Sequence, residues 1–451
     1  MDRRHFLSTT LAATAATAAT AMASTESATA TTTAGPAAGR GAASARAKRF
    51  AEQRWLIDNI IQANGMDWDQ GRSSYLNGPC GVEANADFAA IRARIKKYDD
   101  ISSNFEATAK RREARAHLME EEGSPISARE NYFMAAIHWG AAQWPIDENN
   151  EKNRNYNQHK RDCYSRYAKL ADHHVEAAWI PYQGKNLPGW FHLPPGYKGG
   201  RLPAVLIVPG MDSFKETVVS LYGDSWLNRG FAVLAMEGPG QYECPLLGIY
   251  VSVPGWAEAG KAAMDWLIAR PEVDPQKIGI RGTSFGSFTG TVMAGADPRY
   301  RAVAVAATAV EPGYYTIFDK ACPTFKNRFM YMSNIDDEET FEEFRKTLTW
   351  EGYADKIRVP YLMVAGECDE LSPMEHTERL IKTINGPKRL VVYQESRHSV
   401  GGVPSTTLGP PVGSLIADWM LHVLEGKTVP AERWFVDGSG RVNKSPFETK
   451  A

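Results

Sequence analysis

"KIGIRGTSFGSFTG", residues 277–290, decides how the rest of the chain is read. Its first half carries two β-branched isoleucines, as a strand does, and its second half consists of small, helix-compatible residues. Between them stands Gly282-Thr283-Ser284-Phe285-Gly286. Taken alone, a glycine-flanked serine is a common turn. Between a strand and a helix it gains a physical meaning: the turn strains the serine backbone, the glycines leave room for close chain approach, and the serine projects alone at the strand's C-terminal end.

Such a serine needs a base, and a carboxylate to orient that base, arriving later in the chain in the order acid, histidine. "YLMVAGECDELSP" (361–373) puts Asp369 just past an apolar strand, and "LVVYQESRHSVGG" (390–402) puts His398 just past the next. The separations, 85 and then 29 residues, leave room for about two strand-helix units and then one. Glu367 and Glu370 are neighbouring acids, but Asp369 is better placed to reach the histidine. An oxyanion hole needs two backbone N–H groups. Phe285 supplies one, and Met211 in the loop "VPGMDSFKE" (208–216) the other. In that loop Ser213 and Glu216 fit a capping box, which makes Glu216 structural. Asp212 is either a helix-dipole carboxylate or a group directed at the substrate.

The strand reading extends over the second half. "LPAVLIVPG", "FAVLAMEGPG", "AVAVAATAV", "PYLMVAGE" and "RLVVYQES" are nearly continuous apolar runs, mostly separated by helical stretches such as "GWAEAGKAAMDWLIAR" and "MEHTERLIKTI". That alternation predicts an α/β fold with a mostly parallel sheet buried on both faces over residues 173–451, preceded by an antiparallel pair at "HVEAAWIPY" and "LPGWFHLP". Residues 49–172 have helical periodicity throughout, as in "AEQRWLIDNIIQA", "ADFAAIRARIKKY" and "SPISARENYFMAAIHWGAAQW", and form an all-helical cap domain; Ser127 and Glu130 fit a capping box in the last. Residues 311–352 are too long for an ordinary crossover and rich in Tyr, Phe and Met, so they form either a lid or an extra packing layer.

Composition narrows the function classes. With 51 basic and 53 acidic side chains in 451 residues the net charge is near zero, which argues against a nucleic-acid partner. Arg3-Arg4 ahead of Phe6-Leu7, with small residues at Ala21-Met22-Ala23, resembles a twin-arginine export signal, and the Ala/Thr-rich stretch to residue 48 cannot bury enough surface to fold. Export to the periplasm or beyond is therefore expected, with no membrane contact in the mature form. The five cysteines suggest no disulfide framework, and the ten histidines show no metal-ligand spacing, so no cofactor is expected. The expected partner is a small-molecule substrate, and a homodimer is left open.

The elbow, the "VPGMDSFKE" loop, "MEGPGQYECP" (236–245) and the helical "SARENYFMAAIHWGAAQWPI" together resemble α/β-hydrolases with an N-terminal helical cap, the group of 2,6-dihydroxypseudooxynicotine hydrolase, the fungal polyketide-shortening hydrolases and the FrsA-like esterases. The resemblance implies a serine hydrolase that holds its substrate between cap and sheet and cleaves a carbon–carbon bond beside a ketone, with Asp212 as the matching assisting acid. Asp212 is one methylene shorter than the Glu of that pattern, and Glu237 stands where the pattern carries Asp. Cap residues Tyr132, Phe133, Trp139 and Trp144 either line an aromatic pocket or belong to the cap core. Ester or lactone hydrolysis is the alternative chemistry, and a catalytically inactive binding protein the alternative of another class. A peptidase fits less well, since no propeller-like repeats precede the catalytic region.

Overall fold

The apolar runs of the second half become the strands of one sheet in the computed structural model, which describes residues 47–447. The strands are β1 (Val175–Tyr182), β2 (Lys185–His192), β3 (Leu202–Val208), β4 (Ala232–Met236), β5 (Val273–Ser284), β6 (Ala302–Thr308), β7 (Tyr361–Gly366), β8 (Lys388–Tyr393), β9 (Glu432–Val436) and β10 (Val442–Pro446). Their order is β1-β2-β4-β3-β5-β6-β7-β8-β9-β10. Strands β3 to β9 pair in parallel, while β1 with β2, β2 with β4 and β9 with β10 pair antiparallel.

The runs are continuous because both faces are covered. Alternate residues of one strand enter different cores: Ala204, Leu206 and Val208 pack with Ile278 and Ile280 on one face. On the other, Val205 and Ile207 pack with Ala304 and Leu362. The chain passes from β3 outward to β4, then crosses back beyond β3 to β5 and continues the other way. Strand order thus reverses between β3 and β5, and a crevice opens at their C-terminal ends, where the oxyanion loop and the elbow lie.

Ahead of the sheet come α1 (Lys48–Glu52), α2 (Arg54–Asn64), α3 (Arg72–Asn77), α4 (Asn85–Arg94), α5 (Asp100–Glu121), α6 (Pro125–Gln143) and α7 (Glu151–Leu170). Helix α6 is buried on nearly every side from Asn131 onward, the mark of a central helix. Its core continues into the sheet region through Trp190, Phe214, Ala235 and Tyr242. A side chain at Gly140 of α6 would overlap the Phe214 ring, so the glycine lets the cap close onto the oxyanion loop. The Ser127–Glu130 capping box does not form: α6 starts at Pro125 with Ser124 as its N-cap residue. Proline lacks the N–H that a first-turn residue would leave unpaired, so it starts the helix three residues earlier than expected for that box.

The sheet is flanked by α8 (Glu243–Leu246), α9 (Val253–Ile268), α10 (Phe285–Ala296), α11 (Pro323–Ser333), α12 (Glu338–Arg345), α13 (Met374–Thr383), α14 (Pro404–Leu408) and α15 (Val412–Leu424). Helices α9 and α10 cover one face and α15 the other. Strands β9 and β10 carry no continuous apolar run, because most of their residues stay partly or fully exposed at the sheet edge. Among the described residues no helix is long and apolar enough to cross a membrane. The export stretch and the linker up to residue 46 lie outside the described residues.

Candidate active site

Strand β5 ends at Ser284 with φ 54° and ψ −118°, and α10 begins at the next residue. This is backbone that an L-residue rarely adopts, and it is held by close chain approach on both sides. A Cβ on Gly282 would collide with the Gly286 carbonyl, and one on Gly286 with the Val208 carbonyl at the end of β3. The two glycines are therefore steric requirements of the turn.

The structure brings the three separated residues together. His398 Nε2 lies 2.8 Å from Ser284 Oγ. On its other side, His398 Nδ1 lies 3.1 and 3.0 Å from the two Asp369 oxygens. Asp369 Oδ1 also accepts the Leu371 and Ser372 backbone N–H groups, both at 2.9 Å, which fixes the carboxylate. Glu370 instead accepts the His398 backbone N–H at 3.0 Å, and Glu367 the Glu395 N–H at 3.0 Å. Burial disfavours charge on His398, but Asp369 above all, with Glu370 and Asp212, outweighs it and raises the imidazole above its ordinary value.

The oxyanion loop passes beside the nucleophile. A Cβ on Gly210 would stand 3.2 Å from Ser284 Cβ and 3.3 Å from the Thr283 carbonyl, so the Met211 backbone is brought next to the serine. Phe285 opens α10, and its N–H has no acceptor within the helix. Gln241 Nε2 donates to the carbonyls of Pro209 (2.8 Å) and Gly210 (3.2 Å), and Tyr242 Oη donates to the Asp212 carbonyl at 2.9 Å. Gln241 and Tyr242 were visible in the sequence only as part of "MEGPGQYECP", with no local signal for this positioning role.

The Ser213–Glu216 capping box does not form either: only the short 3₁₀ turn Lys215–Thr217 follows, with Phe214 as its N-cap residue. Glu216 belongs to a buried ion cluster. Its carboxylate accepts Trp190 Nε1 at 2.9 Å and lies 3.1 Å from Lys215 Nζ and 3.8 Å from Lys160 Nζ. Lys215 Nζ also reaches Glu237 (3.4 Å) and Glu243 (3.0 Å). Burial alone would raise the Glu216 carboxyl, yet Lys160 and Lys215 hold it below the usual carboxylate range. Glu237, two of whose backbone donors are Lys215 N (3.2 Å) and Glu243 N (3.0 Å), ties the end of β4 to the loop and to α8.

Asp212 caps no helix. It is buried and surrounded by donors from the cap: Trp144 Nε1 at 2.9 Å to Oδ1, and Gln70 Nε2 and Arg72 Nη2 (3.3 Å) to Oδ2. Arg72 is shared with Asp69, at 3.1 Å between Nη2 and Oδ2, and its guanidinium lies 4.0 Å from the Trp144 ring centre and 4.6 Å from that of Trp68. Three donors from the cap thus engage both oxygens of the carboxyl and tie the oxyanion loop to the cap.

These residues bound a cavity of about 150 Å³, room for roughly one substituted aromatic ring. Ser284, His398, Met211 and Phe285 form its floor. Tyr314, Ile317, Phe318, Phe325 and Phe329, all from residues 311–352, form an apolar wall, and Gln70 and Tyr75 reach in from the cap. The 311–352 segment also packs on the cap: Arg328 Nη1 donates to the carbonyls of Trp144 (3.1 Å) and Ile146 (3.2 Å). None of the four cap aromatics singled out in the sequence lines this cavity. Tyr132 donates to Glu120, Phe133 packs on Tyr164 and Tyr167, and Trp139 stacks on His159, because helical spacing turned them into the cap interior. Trp144 meets Asp212 from behind and borders a smaller cavity there.

Comparison with known proteins places the chain among α/β-hydrolases. The model of the FrsA-like esterase family matches residues 105–333, just over half of the chain. The model of the prolyl oligopeptidase family matches residues 260–427, which hold Ser284, Asp369 and His398. Alpha/beta hydrolase xenA of Xenoacremonium sinensis is 29% identical over 51% of this chain and 56% of its own length. Alpha/beta hydrolase ucsC of an Acremonium species is 28% identical over 63% of this chain and 59% of its own. The chain thus spans under two thirds of the length of these curated relatives. The crystal structure of 2,6-dihydroxy-pseudo-oxynicotine hydrolase superposes with a TM-score of 0.67 at 24% identity, covering 79% of this chain and 97% of that one, so the two share the α/β-hydrolase fold.

Proposed function

Since the chain belongs to the FrsA-like esterase family, we propose that it is a serine hydrolase that cleaves the carbon–carbon bond beside a ketone in a small aromatic or polyketide-like molecule. The observation that carries the hydrolase reading is the Ser284–His398–Asp369 chain of hydrogen bonds opening onto a cavity closed by the cap. His398 Nε2 takes the proton of Ser284 as Oγ attacks the carbonyl carbon, and the Met211 and Phe285 N–H groups receive the oxyanion. The bond to the neighbouring carbon then breaks, and its electron pair delocalises onto the adjacent ketone as an enolate. His398 returns the proton to that carbon, and water, activated by the same imidazole, hydrolyses the acyl ester on Ser284.

The similarity to 2,6-dihydroxy-pseudo-oxynicotine hydrolase and the aromatic wall support the carbon–carbon reading. One observation favours a second reading, ester or lactone hydrolysis: both Asp212 oxygens are engaged by donors from the cap, so the carboxyl is not free to serve a poor leaving group. A rate comparison between a one-ring 1,3-diketone and an aryl ester decides between them. Diketone cleavage, lost in Ser284→Ala, supports the first; ester cleavage with an inert diketone leaves the second. Arg3-Arg4 and the small residues at 21–23 support export by a twin-arginine route, and replacing both arginines by lysine is expected to keep the protein in the cytoplasm in a fractionation assay.

A further inference from the structure

Helix α3 contributes two side chains with different fates. Arg72 turns inward to Asp69 and Asp212, whereas Tyr75, three residues on, borders both the main cavity and the smaller one behind Asp212. Of the two cap residues in the main cavity wall, Gln70 directs its amide nitrogen at Asp212. The Tyr75 hydroxyl has no hydrogen-bond partner among the described residues. A partly buried phenol at a cavity wall, given no acceptor by the protein, is free to meet an acceptor on a ligand.

We propose that Tyr75 is a substrate-contacting residue, its hydroxyl donating a hydrogen bond to the ketone oxygen of the leaving group. The inference rests on the carbon–carbon reading above. It answers the difficulty that Asp212 raises: Asp212 is held by three donors from the cap, whereas the Tyr75 hydroxyl at the cavity wall is not engaged by the protein. In the step concerned, Ser284 Oγ bonds to one carbonyl carbon of a 1,3-diketone and the bond from that carbon to the central carbon breaks. The electron pair moves through the central carbon onto the second ketone oxygen, which accepts a hydrogen bond donated by the Tyr75 O–H. The proton that His398 took from Ser284 goes to the central carbon, so Tyr75 neither gains nor loses a proton. Burial pushes the Tyr75 phenol well above its ordinary value, against the pull of Arg72, so it remains a donor throughout the working range.

Tyr75→Phe removes one oxygen that has no protein partner, so the fold is expected to tolerate it. On benzoylacetone the variant is expected to lose about 10- to 100-fold in kcat, the range for a hydrogen bond to a charged oxygen. That loss should exceed by at least tenfold any loss on p-nitrophenyl acetate, whose leaving group bears no ketone oxygen. Equal losses on the two substrates, or an undiminished rate on the diketone, overturn the proposal. A second measurement does not depend on turnover: benzoylacetone binding to Ser284→Ala, with and without Tyr75→Phe, by calorimetry. Binding weakened severalfold by Tyr75→Phe sustains the contact even if the wild type fails to cleave the diketone, in which case only the carbon–carbon reading falls. Binding that does not weaken, or no binding at all to Ser284→Ala, overturns the contact itself.

Discussion

Replacing Arg72 by methionine is the perturbation whose cost the structure defines best. Methionine keeps an apolar stem between the Trp68 and Trp144 rings, which lie 4.6 and 4.0 Å from the guanidinium carbon, but removes the charge. The charge is shared by two buried carboxylates, Asp69 at 3.1 Å and Asp212 at 3.3 Å from Nη2. Removing one partner of a buried ion pair costs about 3–5 kcal/mol, because the other charge is left uncompensated. Trp144 and Gln70 still donate to Asp212, so most of that cost falls on Asp69. Burial already raises the Asp69 carboxyl against the opposing pull of Arg72, and without the arginine it rises further. An acid whose folded pKa is raised takes up a proton more readily when folded, so the variant regains stability as pH falls and shows its full deficit above the raised pKa. Urea unfolding at pH 8 is expected to show a deficit of about 3–5 kcal/mol that shrinks at pH 5, and Asp69→Asn added to Arg72→Met is expected to restore part of it. A deficit below about 1 kcal/mol, or one that grows on acidification, would refute this account of the cap contact.

Two further outcomes follow from the site. The rate constant kcat/KM should rise with pH through one ionisation lying above the ordinary histidine value near 6.5, since His398 acts as a base only when neutral; Asp369→Asn should lower that inflection and reduce kcat on the order of 10³- to 10⁴-fold, read from pH-rate profiles. Gly282→Ala should abolish soluble, active protein, because its Cβ has no space beside the Gly286 carbonyl, whereas alanine at the exposed turn residue Gly123, where no atom lies within 4 Å but φ is +70°, should cost only about 1 kcal/mol in thermal melting.

What could be read in the sequence was whatever a local signal determines. Ser284 ends a strand, and Asp369 and His398 follow shortly after two others; the central residues of all three strands are buried on both faces, and burial on both faces writes an unbroken apolar run. Strands β9 and β10, half exposed at the edge, write no such run. Both capping boxes were legible as patterns and absent as structures, because Pro125 sets the start of α6 and the Lys160–Lys215 cluster claims Glu216. The contact of Arg72 with Asp212 joins residues 140 positions apart, so no periodicity or spacing could announce it. The same holds for Tyr75, which only the docking of the cap brings to the cavity. Tyr132, Phe133 and Trp139 were misleading for the opposite reason: aromatic residues crowded on one helix describe the interior of the cap as well as they would a pocket.

The central claim is that Ser284 is the nucleophile, and covalent labelling tests it most directly. Mass spectrometry of the protein treated with a fluorophosphonate is predicted to find one adduct, on the peptide holding Ser284, absent in Ser284→Ala and formed far more slowly in His398→Ala. An unlabelled wild-type protein, or an adduct on any other residue, would contradict the account.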